Sequence, residues 1–164
     1  EKAGLFNEKL GRTEDNEMHY RIRKAGYKIC FTPDIISYQH VRSSWKGIIK
    51  QKFLNGYWIG LTLSICPYCF SIFHFIPFVF CLALIVSIIL YALGYKMLFL
   101  ILALAYIVCN LVMSFLAILK GKPCLQYIVL PIIFLSLHIS YGIGTMCGLI
   151  KMPFWWYKNV KKKG

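Results

Sequence analysis

No acidic residue follows Asp34. The six carboxylates of the 164-residue chain (Glu1, Glu8, Glu14, Asp15, Glu17 and Asp34) all lie within its first 34 positions, so chemistry that needs a carboxylate is confined there. Charge is scarce altogether. Charged residues make up 15% of the chain against 59% hydrophobic, with a mean hydropathy of +0.61, which excludes both an ordinary soluble domain and a disordered chain. An initiating Met and a signal peptide are also missing, and a start at Glu1 predicts a C-terminal part or processed product of a longer protein. No Cys and His spacing suits zinc. The seven cysteines are odd in number and sit mostly inside apolar runs, so they read as buried small hydrophobes in a reducing compartment.

What remains is an integral membrane protein with a short polar head. Residues 1–52 hold eleven Lys or Arg and all six acids; residues 53–164 hold eight Lys and no acid. A polar segment of at most about sixty residues makes only a marginal core by itself. The net charge of +13 raises the possibility of nucleic-acid binding. However, the basic residues alternate with aromatics and flank apolar runs, a pattern that addresses anionic lipid headgroups. Membrane lipids are therefore the expected partner, and no nucleic acid is.

Three stretches, Ile72–Leu93, Met97–Leu119 and Tyr127–Ile150, are long and apolar enough to cross a bilayer, which needs about 20 residues. The tight polar turns Gly94–Lys96 and Lys120–Pro123 predict antiparallel neighbours. The basic head, the Lys120 and Lys122 loop and the Lys158–Lys163 tail would all favour the cytoplasm, and three crossings cannot satisfy all of them. Either the tail is exported, or the Pro67 and Pro77 region forms a re-entrant or doubled segment.

In the polar head, Met18, Ile22 and Ala25 fall at helical spacing, Asp15 or Asn16 can cap, Glu17 and Arg21 pair one turn apart, and Gly26 supplies a stop. The alternation Tyr27, Ile29, Phe31 and the run Ile35–Val41 predict two strands about a Pro33–Asp34 turn. Ser43 and Ser44 then introduce an amphipathic helix from Trp45, with Ile48, Ile49 and Phe53 on one stripe, expected to lie in the interface plane. On the same helix Gln51, Asn55 and Trp58 share a face that can grip a sugar or nucleotide, or else anchor the chain at the interface.

The run Gly4, Leu5, Phe6, Asn7, Glu8, then Arg12, Thr13, Glu14, Asp15, then Glu17, Arg21 and Gly26 resembles the acceptor-side half of a family 2 glycosyltransferase of the GT-A fold, in the membrane-anchored succinoglycan and exopolysaccharide branch. Gln51 to Trp58 is similar to that branch's version of the Gln-x-x-Arg-Trp element, and Leu137 to Gly144 to its last membrane segment. The resemblance implies an α+β fold: residues 1–44 as the C-terminal remnant of a GT-A α/β domain, 45–70 as interfacial helix and linker, 71–150 as transmembrane helices and 151–164 as a basic tail. It implies an inverting transfer of sugar from a nucleotide-sugar donor to a lipid-linked or glycan acceptor, for cell-surface polysaccharide, at the inner cell membrane with the catalytic segment cytoplasmic.

By the same resemblance Asp15 is the general base that takes the acceptor hydroxyl's proton, and Glu14 orients it or meets acceptor hydroxyls. A carboxylate at a helix start is held ionised by the positive helix end. Arg12 and Arg21 join Gln51, Asn55 and Trp58 as substrate-binding residues. A divalent Mg or Mn is implied, but the Asp-x-Asp element that would ligate it is absent from these residues, and the chain is expected to be inactive without the half that carries it. The alternative is a non-catalytic membrane anchor or partner subunit of a glycosyltransferase or exporter. Cys66-Pro67-Tyr68-Cys69 reproduces a glutaredoxin tetrapeptide, but with no preceding strand and a membrane span behind it, redox chemistry is not expected. His74 and His138 lie in spans without a carboxylate partner, so they read as neutral imidazoles bonded to neighbouring helices.

Overall fold

The computed structural model describes residues 3–38, 40, 42–120 and 125–162, with no account of the side chains at 125 and 126. Among the described residues five α-helices carry the fold: α1 (Glu14–Lys24), α2 (Trp45–Thr62), α3 (Ile76–Ala92), α4 (Lys96–Lys120) and α5 (Leu130–Trp156). Short 3₁₀ turns at Pro67–Cys69, Ile72–Phe75 and Leu125–Val129 connect them, and α5 runs on into a π-helical turn at Tyr157–Lys161.

The expected α+β fold is not found. Among the described residues there is no strand, and residues 27–32 and 35–38 carry no regular structure. Their alternating apolar side chains are exposed, Phe31 and Tyr38 at 93% each, so no second strand or apolar layer covers them. Alternation favours a strand only where a neighbour completes the ladder and buries one face; an isolated extended run leaves its backbone to water. Gln39 and Val41, at the end of the second expected strand, lie outside the described residues.

Helix α1 matches its sequence signals. Three acids occupy its first turn and Arg21, Arg23 and Lys24 its last, each set complementing the helix dipole. Gly26 adopts φ 85°, closing the helix while Tyr27 N–H bonds to the Ile22 carbonyl. Its start differs from expectation by two or three residues: Thr13, not Asp15 or Asn16, holds the N-cap position. Helix α2 begins at Ser44, whose hydroxyl accepts from the Gly47 N–H at 3.2 Å.

Helices α2 and α5 pack side by side in parallel register. A Cβ on Gly56 would collide with the Tyr141 carbonyl, one on Gly60 would meet Gly148 backbone at 2.7 Å, and one on Gly144 would collide with the Phe53 carbonyl. Ser140 Oγ donates to the Ile49 carbonyl at 2.9 Å in the same row. Small residues four apart on both partners let the two backbones touch, which is how helices associate when lipid supplies no hydrophobic drive. The small-residue face of α5 is thus filled from within the chain. Helix α2 lies along α5 on its glycine side.

Helices α3 and α4 form an antiparallel hairpin about Gly94, with Phe80 stacked on Tyr106 at 4.4 Å and Tyr91 against Phe99. Asn110 Nδ2 donates to the Pro131 carbonyl at 2.9 Å, tying α4 to the start of α5. Among the described residues three helical stretches, Ile72–Ala92, Lys96–Lys120 and Tyr127–Lys161, are long and apolar enough to cross a membrane. Their outward faces are hydrophobic, with Ile101, Leu104 and Phe115 exposed, as suits lipid contact. The last stretch extends past Ile150 through Pro153, and Pro67 and Pro77 sit at the first positions of a 3₁₀ turn and of α3.

Candidate active site

Three consecutive residues fasten the start of α1 to one row of α2. Gly11 lies on the Trp58 indole so closely that a Cβ there would meet Cζ2 at 2.6 Å. Arg12 Nη1 donates to Asn55 Oδ1 at 2.8 Å, and the Thr13 and Thr62 hydroxyls share a hydrogen bond at 2.7 Å. Asn55, Trp58 and Thr62 follow one another at helical spacing, so a single face of α2 receives the whole segment. Leu10, just before it, is buried.

Thr13 holds φ 66°, a left-handed conformation that costs a β-branched residue about 1–2 kcal/mol. Its hydroxyl is spent on Thr62 and on the Arg12 carbonyl instead of capping α1. The strained turn leads directly into the first helical residues of α1.

Those residues are Glu14 and Asp15. Glu14 is half-buried, and among the described residues its Oε2 is sealed from solvent with no hydrogen-bond partner. A buried carboxylate oxygen left unpaired is costly, so Glu14 stands ready for a donor. Asp15 is exposed; its Oδ1 accepts from the Asn16 backbone N–H at 2.8 Å and from Asn16 Nδ2 at 3.2 Å. Both carboxylates lie in the first turn, within the favourable field of the helix end.

Arg21 is committed elsewhere. It forms a fork on buried Glu17, Nε to Oε1 at 2.6 Å and Nη2 to Oε2 at 2.9 Å, and also donates to the carbonyls of Ala3 and Leu5. The Glu17 carboxylate holds the Arg21 proton more tightly than usual. Arg21 thereby pins residues 3–5 to α1.

Gln51 and Arg12 meet in a different place from Trp58. Together with Arg42, Gly47, Lys50 and Leu54 they line a hollow of about 110 Å³. Three of its six lining residues are cations and none is an acid, so an anion suits it. Arg42 and Lys50 escaped the sequence reading because neither shares the helical row of Asn55 and Trp58. The roles of Thr62 and Trp155 were missed as well; Trp155 of α5 packs edge-on to Trp58 at 6.0 Å. The continuing spacing Asn55, Trp58, Thr62 was the available signal for Thr62.

Cys66 and Cys69 lie next to α1. The Cys69 thiol donates to the Cys66 carbonyl at 2.9 Å, and burial, then its bond to Cys66, push its pKa above the ordinary thiol value. A protonated, half-buried thiol is a poor nucleophile. Among the described residues no group of three His, Cys, Asp or Glu is placed to hold a metal, so the divalent cation implied by the resemblance has no matching donor set here.

Over 147 residues, 90% of its length, the chain is 32% identical to the dolichyl N-acetyl-alpha-D-glucosaminyl phosphate 3-beta-D-2,3-diacetamido-2,3-dideoxy-beta-D-glucuronosyltransferase of Methanococcus voltae. The chain is similar to part of a glycosyltransferase. It spans 42% of that relative's length. No family model matches the chain, and no solved structure matches it.

Proposed function

We propose that the chain is the membrane-facing part of an inverting glycosyltransferase that moves a sugar from a nucleotide-sugar donor to a lipid-linked acceptor. The observation that carries this reading is the clamp of Gly11, Arg12 and Thr13 on Trp58, Asn55 and Thr62, which holds an acidic helix start beside a helix packed on a membrane span. The likeness to a transferase whose name specifies a dolichyl phosphate sugar as acceptor supports the lipid-linked class. Family 2, synthesis of surface polysaccharide and a cytoplasmic face belong to the same proposal.

In this mechanism Asp15 removes the proton of the acceptor hydroxyl as its oxygen bonds to the anomeric carbon. The bond from that carbon to the donor diphosphate breaks, and the leaving nucleoside diphosphate gains negative charge. Arg12, Arg42 and Lys50, around the hollow that Gln51 also lines, stabilise that charge. Glu14, next to Asp15 in the same helical turn, orients it or meets acceptor hydroxyls. Asn55 and Trp58 contribute by holding the segment that carries both acids.

The test uses the full-length protein in membranes, with labelled nucleotide-sugars and a dolichyl phosphate sugar as acceptor. Transfer of label into the lipid-extractable fraction supports the reading, and Arg42→Ala with Lys50→Ala should lower kcat/KM by about tenfold or more. No lipid-linked product from any nucleotide-sugar overturns it.

A further inference from the structure

A second polar feature lies one turn before the clamp on α2. Lys52, three residues before Asn55, lines a cavity of about 400 Å³ with Phe73, His74 and Pro77 ahead of and at the start of α3, and His138 and Tyr141 of α5. Lys52 is half-buried, and among the described residues it forms no ion pair. No acid occurs anywhere in the chain after Asp34 to supply one.

The two imidazoles are already oriented. His74 Nδ1 lies 3.1 Å from the Ser71 carbonyl and His138 Nδ1 2.8 Å from the Phe134 carbonyl. A carbonyl only accepts, so Nδ1 carries the proton in both rings; Nε2, without a partner among the described residues, accepts in the neutral ring and can take the hydrogen of a phosphate P–O–H group, and it donates to a phosphate oxygen only in the imidazolium form. Ionisable groups placed in membrane helices are costly and mark binding or transport sites. Here an ammonium and two imidazoles surround one space.

A second cavity of about 310 Å³ adjoins the first. The two share Phe134 and His138, and the second is walled by Ile76, Phe80, Tyr106 and Met113 between α3, α4 and α5. One compartment holds the Lys52 ammonium and two imidazoles, and the next is almost wholly apolar. The pair has the form of a head and a single tail.

We propose that these joined cavities hold a phosphate lipid with one apolar chain, its phosphate against Lys52, His74 and His138 and its chain between α3, α4 and α5. This rests on the transferase reading only in taking that lipid as the acceptor's carrier. The phosphate lies one turn along α2 from Asn55, which places the carried sugar toward the segment that ends in Glu14 and Asp15. The single apolar compartment favours one chain over the two of an ordinary phospholipid.

The test measures binding to the full-length protein in phosphatidylcholine nanodiscs, with a polyprenyl monophosphate as probe and polyprenol, inorganic phosphate and phosphatidylglycerol as competitors. The monophosphate should bind, and each competitor should be at least about tenfold weaker, the value of one charge-assisted hydrogen bond. Lys52→Gln should weaken the monophosphate by about tenfold or more while Lys52→Arg retains it, and Met113→Trp, which fills the tail compartment, should weaken it too. Unchanged binding in Lys52→Gln, or equal competition by polyprenol, inorganic phosphate or phosphatidylglycerol, overturns the proposal. Binding without any sugar transfer leaves the lipid site standing and removes the transferase reading. Transfer with an acceptor KM unaltered by Lys52→Gln does the reverse.

Discussion

The bond between Arg12 and Asn55 is the most exacting test of how the acidic helix start is held. Arg12 Nη1 meets Asn55 Oδ1 at 2.8 Å in a half-buried setting, and a hydrogen bond to a charged donor contributes about 1.5–3 kcal/mol. Partial exposure screens it, so a coupling of about 1–2 kcal/mol is expected between Arg12→Ala and Asn55→Ala. The contacts of Gly11 with Trp58 and of Thr13 with Thr62 persist in either variant, so the segment should loosen without leaving α2. Amide hydrogen exchange reads this directly at Leu10, bonded to Asn7, and at Glu17, bonded to Thr13. Protection there should fall about 5- to 30-fold in each single variant, with the double variant little worse than either. Strictly additive losses, or unchanged protection in both single variants, would refute the clamp.

Four further outcomes follow from the same geometry. Gly60→Leu drives a side chain into Gly148 backbone and should destabilise the α2 and α5 pair by about 1–3 kcal/mol or more, read as a lower thermal midpoint in detergent, while the lipid-facing Leu104→Ile should not. Glu17→Gln removes the carboxylate from Arg21 and should cost about 1–2 kcal/mol, discounted because Arg21 is 28% exposed, with faster proteolysis near residues 3–5 as the readout. Gly11→Val should displace the Trp58 indole and change tryptophan fluorescence; an unaltered spectrum would mean that Gly11 is not against the ring. Cys69 binds its proton more tightly folded than unfolded, so its contribution to stability is full below the ordinary thiol pKa of 9.0 and is lost as pH rises beyond it, with maleimide labelling correspondingly slow at pH 8.

The long apolar helices were readable because hydropathy and length alone decide whether a helix suits a bilayer, and α3 and α4 follow the apolar runs to within a few residues. Helix α1 was readable from Glu17 with Arg21 and from Gly26, local signals whose partners lie within one turn. The strands expected at Tyr27–Phe31 and Ile35–Val41 rested on alternation, which carries no information about whether a neighbour exists; exposed Phe31, Ile35 and Tyr38 show that none does among the described residues. The shared face of Gln51, Asn55 and Trp58 was legible as spacing, but its partners were not. Arg12 and Thr13 reach it across more than forty residues of chain, and only tertiary packing reveals that Trp58 is covered by Gly11 while Gln51 turns toward Arg42 and Lys50.

The account depends on the carboxylate of Asp15 acting where α1 meets the membrane-packed α2. Sugar transfer by the full-length protein carrying Asp15→Asn, measured at saturating donor with a dolichyl phosphate sugar acceptor, tests it most directly. The account expects kcat to fall by about a hundredfold or more, with acceptor KM within about twofold and helix content unchanged. A kcat equal to that of the unaltered enzyme would contradict it.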